Sequence, residues 1–281
     1  MFRILLFLCL ASRLPAIEIA GSDILKETLQ DIEKLPGAPK ASFNGTMPAR
    51  RALLEDRASI GILFLKENEE DPKPAKGNLF NRYLLANAAA ALIVHKENQL
   101  TQINLEGLKG IFSKSARYPA TNWNDLPGAS QSEIISPIIY SPPDSFVQEF
   151  FMGLVMNGDE FRTNVKQRLE HITIQENIES RFGIAVIMPV QIPTAGRVMA
   201  IADGRPGRSA VAYLPNEMNI YNGDYPLRLP LYIYVRSDKE KELGKILTWL
   251  LSDEVAERIA VQGLYPAPKA IRARLSQRLD R

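Results

Sequence analysis

The 281-residue sequence has a single cysteine, Cys9, set in an apolar stretch, ILLFLCLA, close to the N-terminus. Met1, Phe2 and Arg3 before that short apolar core follow the pattern of a secretory leader, expected to cover residues 1–16 with cleavage after Ala16. Leu6, Phe7 and Leu8 precede Cys9, so the small residues of a lipoprotein cleavage box are missing. The processed chain would then hold no cysteine, which excludes disulfides, thiol catalysis and cysteine-ligated zinc together.

Histidine is nearly as scarce. His95 and His171 are far apart in the chain, and each is expected to be structural. The sequence contains no GxGxxG, GxxxxGK[ST], HExxH or GxSxG. Its carboxylates gather in solvated runs such as 67–71 and 238–242, with no pair suited to acid and base roles. The expectation is a chain that is not an enzyme and uses no metal or cofactor.

Charge of one sign is also lacking. Lys and Arg number 34 against 32 Asp and Glu, a formal net charge of +2, which is no footprint for nucleic acid. The locally basic stretch 271–281 reads as a solvated terminal helix. After the leader no segment is long and apolar enough for a membrane-spanning helix, so a soluble chain is expected; the leader implies export, and a monomer is expected.

What is present is a globular composition, 46% hydrophobic and 23% charged, in a chain long enough for one large domain or two lobes. Residues 88–94 are an unbroken apolar run of strand length, the mark of a strand buried on both faces. Asn104 is placed to cap a helix whose inner face is Leu105, Leu108, Ile111 and Phe112. A turn follows at Asn122, Trp123, Asn124, Asp125 and Leu126.

Three strand-to-helix turns carry hydrogen-bond donors. The first is Gly21, Ser22 and Asp23, before an expected helix facing inward with Ile24, Leu25, Thr28, Leu29 and Ile32. The second is Asn44, Gly45 and Thr46, with Thr46 expected to cap a helix that runs from Pro48 through Arg50, Arg51, Leu53 and Leu54. The third is Ser141, Pro142, Pro143, Asp144 and Ser145, after a strand over 133–140. Free backbone N–H groups at a helix start favour an anion, although plain capping is their commoner use. Further strands are expected over 59–65, 182–190 and 231–235, a helical link over 174–180 and a turn-rich excursion over 196–207. The helices of the C-terminal region end at Gly263.

The order of buried strand, Lys-Glu-Asn-Gln-Leu exit, Leu-x-x-Leu-x-x-Ile-Phe helix and Asn-Trp-x-Asp-Leu turn within 87–126 resembles the phosphate-binding periplasmic proteins of ABC importers. The return segment from Tyr225 and Pro226 through Arg228 to Leu231 and Tyr232 resembles that family's Tyr-Pro-x-x-Arg-Pro-Leu-Tyr strand. The end at Gly263, Tyr265 and Pro266 resembles its Gly-Tyr-x-Pro. The resemblance implies an α/β fold, type II periplasmic-binding-protein-like. Two Rossmann-like lobes, 17–87 with 226–281 and 88–225, would be joined by strands crossing near 92–96 and 231–235.

It further implies an exported solute-binding protein, periplasmic or otherwise exported. A small anionic ligand, an oxyanion such as phosphate, would sit in the interlobe cleft on Gly21, Ser22, Asp23, Gly45, Thr46, Ser141, Asp144 and Ser145. The partner would be an ABC permease or another envelope protein. The chain departs from the family in two places. Its third strand ends in Phe64 and Leu65 where the family has Ser-Arg or Ser-Asp, and 141–145 lacks the family's Arg while adding Asp144. The alternative is a fold that has lost its ligand and serves as a protein-interaction or scaffolding module. Arg50 and Arg51 discriminate: either one pointing into the cleft would replace the missing cation.

Overall fold

The chain builds one sheet, leaves it, builds a second, and returns to complete the first. The computed structural model describes residues 18–35, 40–67, 69–74, 79–140, 147–188 and 192–279. The leader over 1–16 lies outside them.

β1 (Glu18–Gly21) pairs in parallel with β2 (Lys40–Phe43) on one side and with β3 (Ile60–Phe64) on the other. The expected helix between β1 and β2 is instead a pair of 3-10 turns, Asp23–Leu25 and Gln30–Lys34. Of the intended inner side chains, Leu25, Thr28, Leu29 and Ile32 are nonetheless buried and Ile24 is half-buried. Short turns at this spacing satisfy the same face without an unbroken helical ladder. α1 (Thr46–Leu54) lays Ala49, Ala52 and Leu53 on Ala20 and Leu63.

β4 (Phe80–Ala89) then runs through the first sheet, Ala90 intervenes, and β5 (Ala91–His95) opens the second. Every residue from 88 to 94 is fully buried, as the apolar run predicts, but the run serves two sheets rather than one strand. The crossing therefore falls at 89–91 and not at 92–96. Alanines 88–91 explain the position, because only so small a side chain fits where two sheets abut.

β6 (Gln102–Asn104) leads into α2 (Leu105–Phe112), capped as expected by the Asn104 side chain, which accepts from the Gly107 N–H at 2.8 Å. Trp123 is fully buried in a 3-10 turn, Trp123–Asp125. The second sheet continues with β7 (Ser136–Tyr140), α3 (Val147–Val155), β8 (Lys166–Arg168), α4 (His171–Glu179), β9 (Gly183–Ile187) and β10 (Gly196–Val198). The expected excursion over 196–207 holds β10 and β11 (Ala200–Ala202), and β11 pairs antiparallel with β12 (Ala212–Tyr213) beyond it, followed by α5 (Glu217–Asn222).

The return crossing is at Leu227, which packs in the second core, and β13 (Arg228–Arg236) runs antiparallel between β4 and β3. It thus precedes the expected 231–235. α6 (Gly244–Leu250), α7 (Asp253–Val261), β14 (Tyr265–Pro266) and α8 (Lys269–Leu279) complete the first unit. The strand orders are β14-β4-β13-β3-β1-β2 in the first sheet, β10-β5-β9-β7-β8 in the second, and β12-β11-β6 in a small third sheet. Each of the two large sheets has its own apolar core, one around Ile62, Leu85 and Leu247, the other around Phe112, Trp123 and Phe151.

Candidate functional site

Strand register locates the place where ligand-binding turns can meet. Phe64 at the end of β3 pairs with Leu231, four residues past the return crossing, and Gly21 at the end of β1 pairs with Ile62 and Phe43. In the second sheet Ile187 at the end of β9 pairs with Ala91 at the outward crossing, and β7 runs parallel beside β9. The C-terminal ends of β1, β2 and β3 and of β7 and β9 therefore point at the crossings from opposite sides. Open α/β sheets bind ligands outside such strand ends.

The first two expected turns are brought together. Gly45 N–H donates to the Gly21 carbonyl at 3.2 Å, and the Thr46 hydroxyl accepts from Phe64 N–H at 3.5 Å. Ser22 N–H is consumed by the Ile62 carbonyl at 3.0 Å, and the Ser22 hydroxyl donates to Asp23 Oδ1 at 3.3 Å. The turn that follows Ser22 is a three-residue 3-10 element, too short for an appreciable dipole.

α1 is the longer of the two starts. Its cap position is Gly45, at φ 111 and ψ 161, and Thr46 is its first residue. Thr46 is thus not the expected cap, because the chain enters the helix through a conformation open to glycine, and its hydroxyl turns to β3. Thr46 and Met47 keep backbone N–H groups without an intrahelical partner. Ser141, Asp144 and Ser145 lie outside the described residues.

The two arginines of α1 do not reach the crossing. Arg50 pairs with Glu69 and donates to the Glu70 carbonyl at 2.9 Å. Arg51 is exposed, without an ion pair among the described residues, and borders a cavity of about 650 Å³ with Ser42, Asn44 and Met47. All residues lining this cavity fall between Ala20 and Arg57, so it belongs to the edge of the first sheet. His95 is buried, with Nδ1 accepting from Glu97 N–H at 3.1 Å, the structural role expected for it. Among the described residues no group of His, Cys, Asp and Glu is arranged to hold a metal ion.

Residues that the sequence reading passed over stand at the exit of β3. Lys66 lays its ammonium 3.3 Å from where a Cβ on Gly153 of α3 would be, an approach that glycine permits. Glu67 accepts from Arg205 at 3.2 Å and from Arg208, both in the loop between β11 and β12. Asp203 holds Arg205 in place, and the bond to Arg205 keeps the Asp203 carboxyl below its ordinary range. The stretch from Lys66 to Asp71 reads as a solvated charge run; only the fold supplies its partners.

The PBP superfamily domain matches residues 12–254. Protein SphX of Synechococcus elongatus is 25% identical over 182 residues, 63% of this chain and 53% of SphX, so that match spans about half of the relative's length. Phosphate-binding protein PstS of Pseudomonas aeruginosa is 23% identical over 242 residues, 81% of this chain and 73% of PstS. A possible phosphate binding protein from Planctomyces limnophilus superposes with a TM-score of 0.73 at 18% identity, covering 94% of this chain and 97% of its own. PstS from Borrelia burgdorferi gives 0.70 at 17% identity, covering 90% and 98%. These similarities at low identity establish the type II periplasmic-binding-protein-like fold.

Proposed function

Because this chain belongs to the PBP superfamily, we propose that it is an exported solute-binding protein of an ABC-importer type that takes a small oxyanion such as phosphate between two lobes. The lobes would be 17–87 with 226–281, and 88–225. The observation that carries the proposal is the double crossing: two separate sheets face each other with their parallel strand ends directed at the passage. The backbone N–H groups of Thr46 and Met47 at the start of α1 supply donors there. The sequence similarity to Phosphate-binding protein PstS of Pseudomonas aeruginosa, and the fold shared with a possible phosphate binding protein from Planctomyces limnophilus, support phosphate as the first ligand to try. Export is supported by the leader pattern, and among the described residues no helix is long and apolar enough to cross a membrane. An ABC permease or another envelope protein is the partner this reading requires.

One observation favours the second reading, a fold that has lost its ligand and serves as an interaction module. Arg50 is spent on Glu69 and Glu70, so it does not replace the cation missing from 141–145. A thermal-shift and calorimetric panel of the processed chain with phosphate, sulfate, molybdate, nitrate and carboxylates separates the two. A ligand at a hundred times its Kd stabilises the native state by about 2.7 kcal/mol. Stabilisation by one oxyanion supports the binding protein; a flat response to the whole panel supports the module.

A further inference from the structure

We infer that Glu67 is a charge latch that holds the two lobes together, its carboxylate gripped across the cleft by Arg205 and Arg208. The inference rests on the two-lobe reading above and adds to it the contact that sets the closed state.

Among the described residues, the pairs made by Glu67 are the only ion pairs that join opposite sides of the crossings. Every other pair lies within 18–89 and 228–279, or within 91–227. Glu67 uses both oxygens: Oε2 accepts from Arg205 Nη2 at 3.2 Å and Oε1 accepts from Arg208 Nη2. Arg205 is aimed in advance, since its Nε and Nη2 donate to the two oxygens of Asp203 at 2.5 and 2.6 Å. A pre-oriented guanidinium loses less freedom on capturing a second carboxylate.

The latch residue is not on a free loop. Its neighbour Lys66 rests on α3 at Gly153, giving the exit of β3 a second foothold on the other lobe. On its own lobe the segment is moored by Arg50 to Glu69 and to the Glu70 carbonyl, by Arg82 to Asp71 at 2.8 and 3.1 Å, and by the Tyr234 hydroxyl to Asp71 at 2.6 Å. A pull on Glu67 is thereby passed to α1, β4 and β13. The three latch side chains are 39%, 43% and 46% exposed, which leaves their attraction open to screening by salt. Such a contact is weak enough to release and remake as the lobes move.

Pulsed dipolar spectroscopy tests this. Spin labels go on Glu27→Cys in the first lobe and Glu106→Cys in the second, both exposed positions, in the processed chain from Ile17, which holds no other cysteine. At low salt the parent chain should give a single short distance. Glu67→Gln should shift the distribution to longer distances, as should roughly 1 M salt, where the Debye length falls to about 3 Å. Adding Arg208→Gln to Glu67→Gln should lengthen it little further, since one contact has already been lost.

An unchanged distribution in folded Glu67→Gln overturns the latch. If that variant does not fold, the salt series on the parent decides, and no lengthening overturns it equally. Phosphate titration of the parent is read separately: absence of binding sinks the proposed ligand while the distances still judge the latch.

Discussion

Gly45 shows how much a single position carries. Its φ of 111 with ψ of 161 lies in a region that side chains with a Cβ rarely enter, although an added Cβ would meet nothing closer than Pro48 at 3.6 Å. Gly45→Ala should therefore cost on the order of 1 to 3 kcal/mol through backbone strain alone, measured as a lower urea midpoint at unchanged slope. Its neighbour Thr46 bears differently on stability. With the cap role gone, Thr46→Ala loses only the long contact to Phe64 N–H, expected at about 0.5 kcal/mol, the low end for a net hydrogen bond. If an oxyanion is bound at this turn, the same variant should lose about 1 to 3 kcal/mol of binding in calorimetry. Unchanged affinity in the folded variant would remove Thr46 from the site.

At the scale of an element, the turn around Trp123 has a pH dependence that can be signed. Asp125 accepts from the backbone N–H of Asn122 and of Thr121, each at 2.8 Å, and these bonds hold its carboxyl below the ordinary 3.8. A carboxyl with a depressed folded-state pKa contributes stability above its unfolded value, and that contribution is lost as pH falls through the folded value. Acid titration should accordingly loosen this turn only below the ordinary 3.8, and the fluorescence of the fully buried Trp123 reports it. Asp125→Asn should flatten that acid limb while lowering stability at neutral pH. A limb that persists in Asp125→Asn would assign it to another carboxylate.

For the whole molecule the decisive contacts are those between the two crossing segments. Ala90 N–H donates to the Leu227 carbonyl at 3.1 Å, and the Tyr225 hydroxyl donates to the Ala90 carbonyl at 2.7 Å. Tyr225 is fully buried, and burial pushes its hydroxyl well above the ordinary phenol range, so it remains a donor at any physiological pH. Tyr225→Phe leaves the Ala90 carbonyl short of one partner and should cost about 1 to 2 kcal/mol. Because the bond ties the outward passage to the return, unfolding should also become less cooperative. Calorimetry would register this as a van't Hoff enthalpy below the calorimetric one; equal enthalpies would confine Tyr225 to local packing.

The elements whose evidence is local were legible in the chain itself. Residues 88–94 are buried throughout, and Asn104 caps α2 with Leu105, Leu108, Ile111 and Phe112 inward, because burial and capping depend on periodicity and on the nearest side chains. The order of elements along the chain likewise carried the family fold. What the chain could not decide by itself was where a uniform apolar run changes sheets, since the four alanines at 88–91 look alike until two sheets are brought against them. Nor could it reveal that Ser22 N–H is used by Ile62, or that Glu67 in an apparently solvated charge run meets arginines 138 and 141 residues away. Hydrogen bonds and ion pairs of that separation leave no periodic trace in sequence, and only tertiary structure selects which charge meets which.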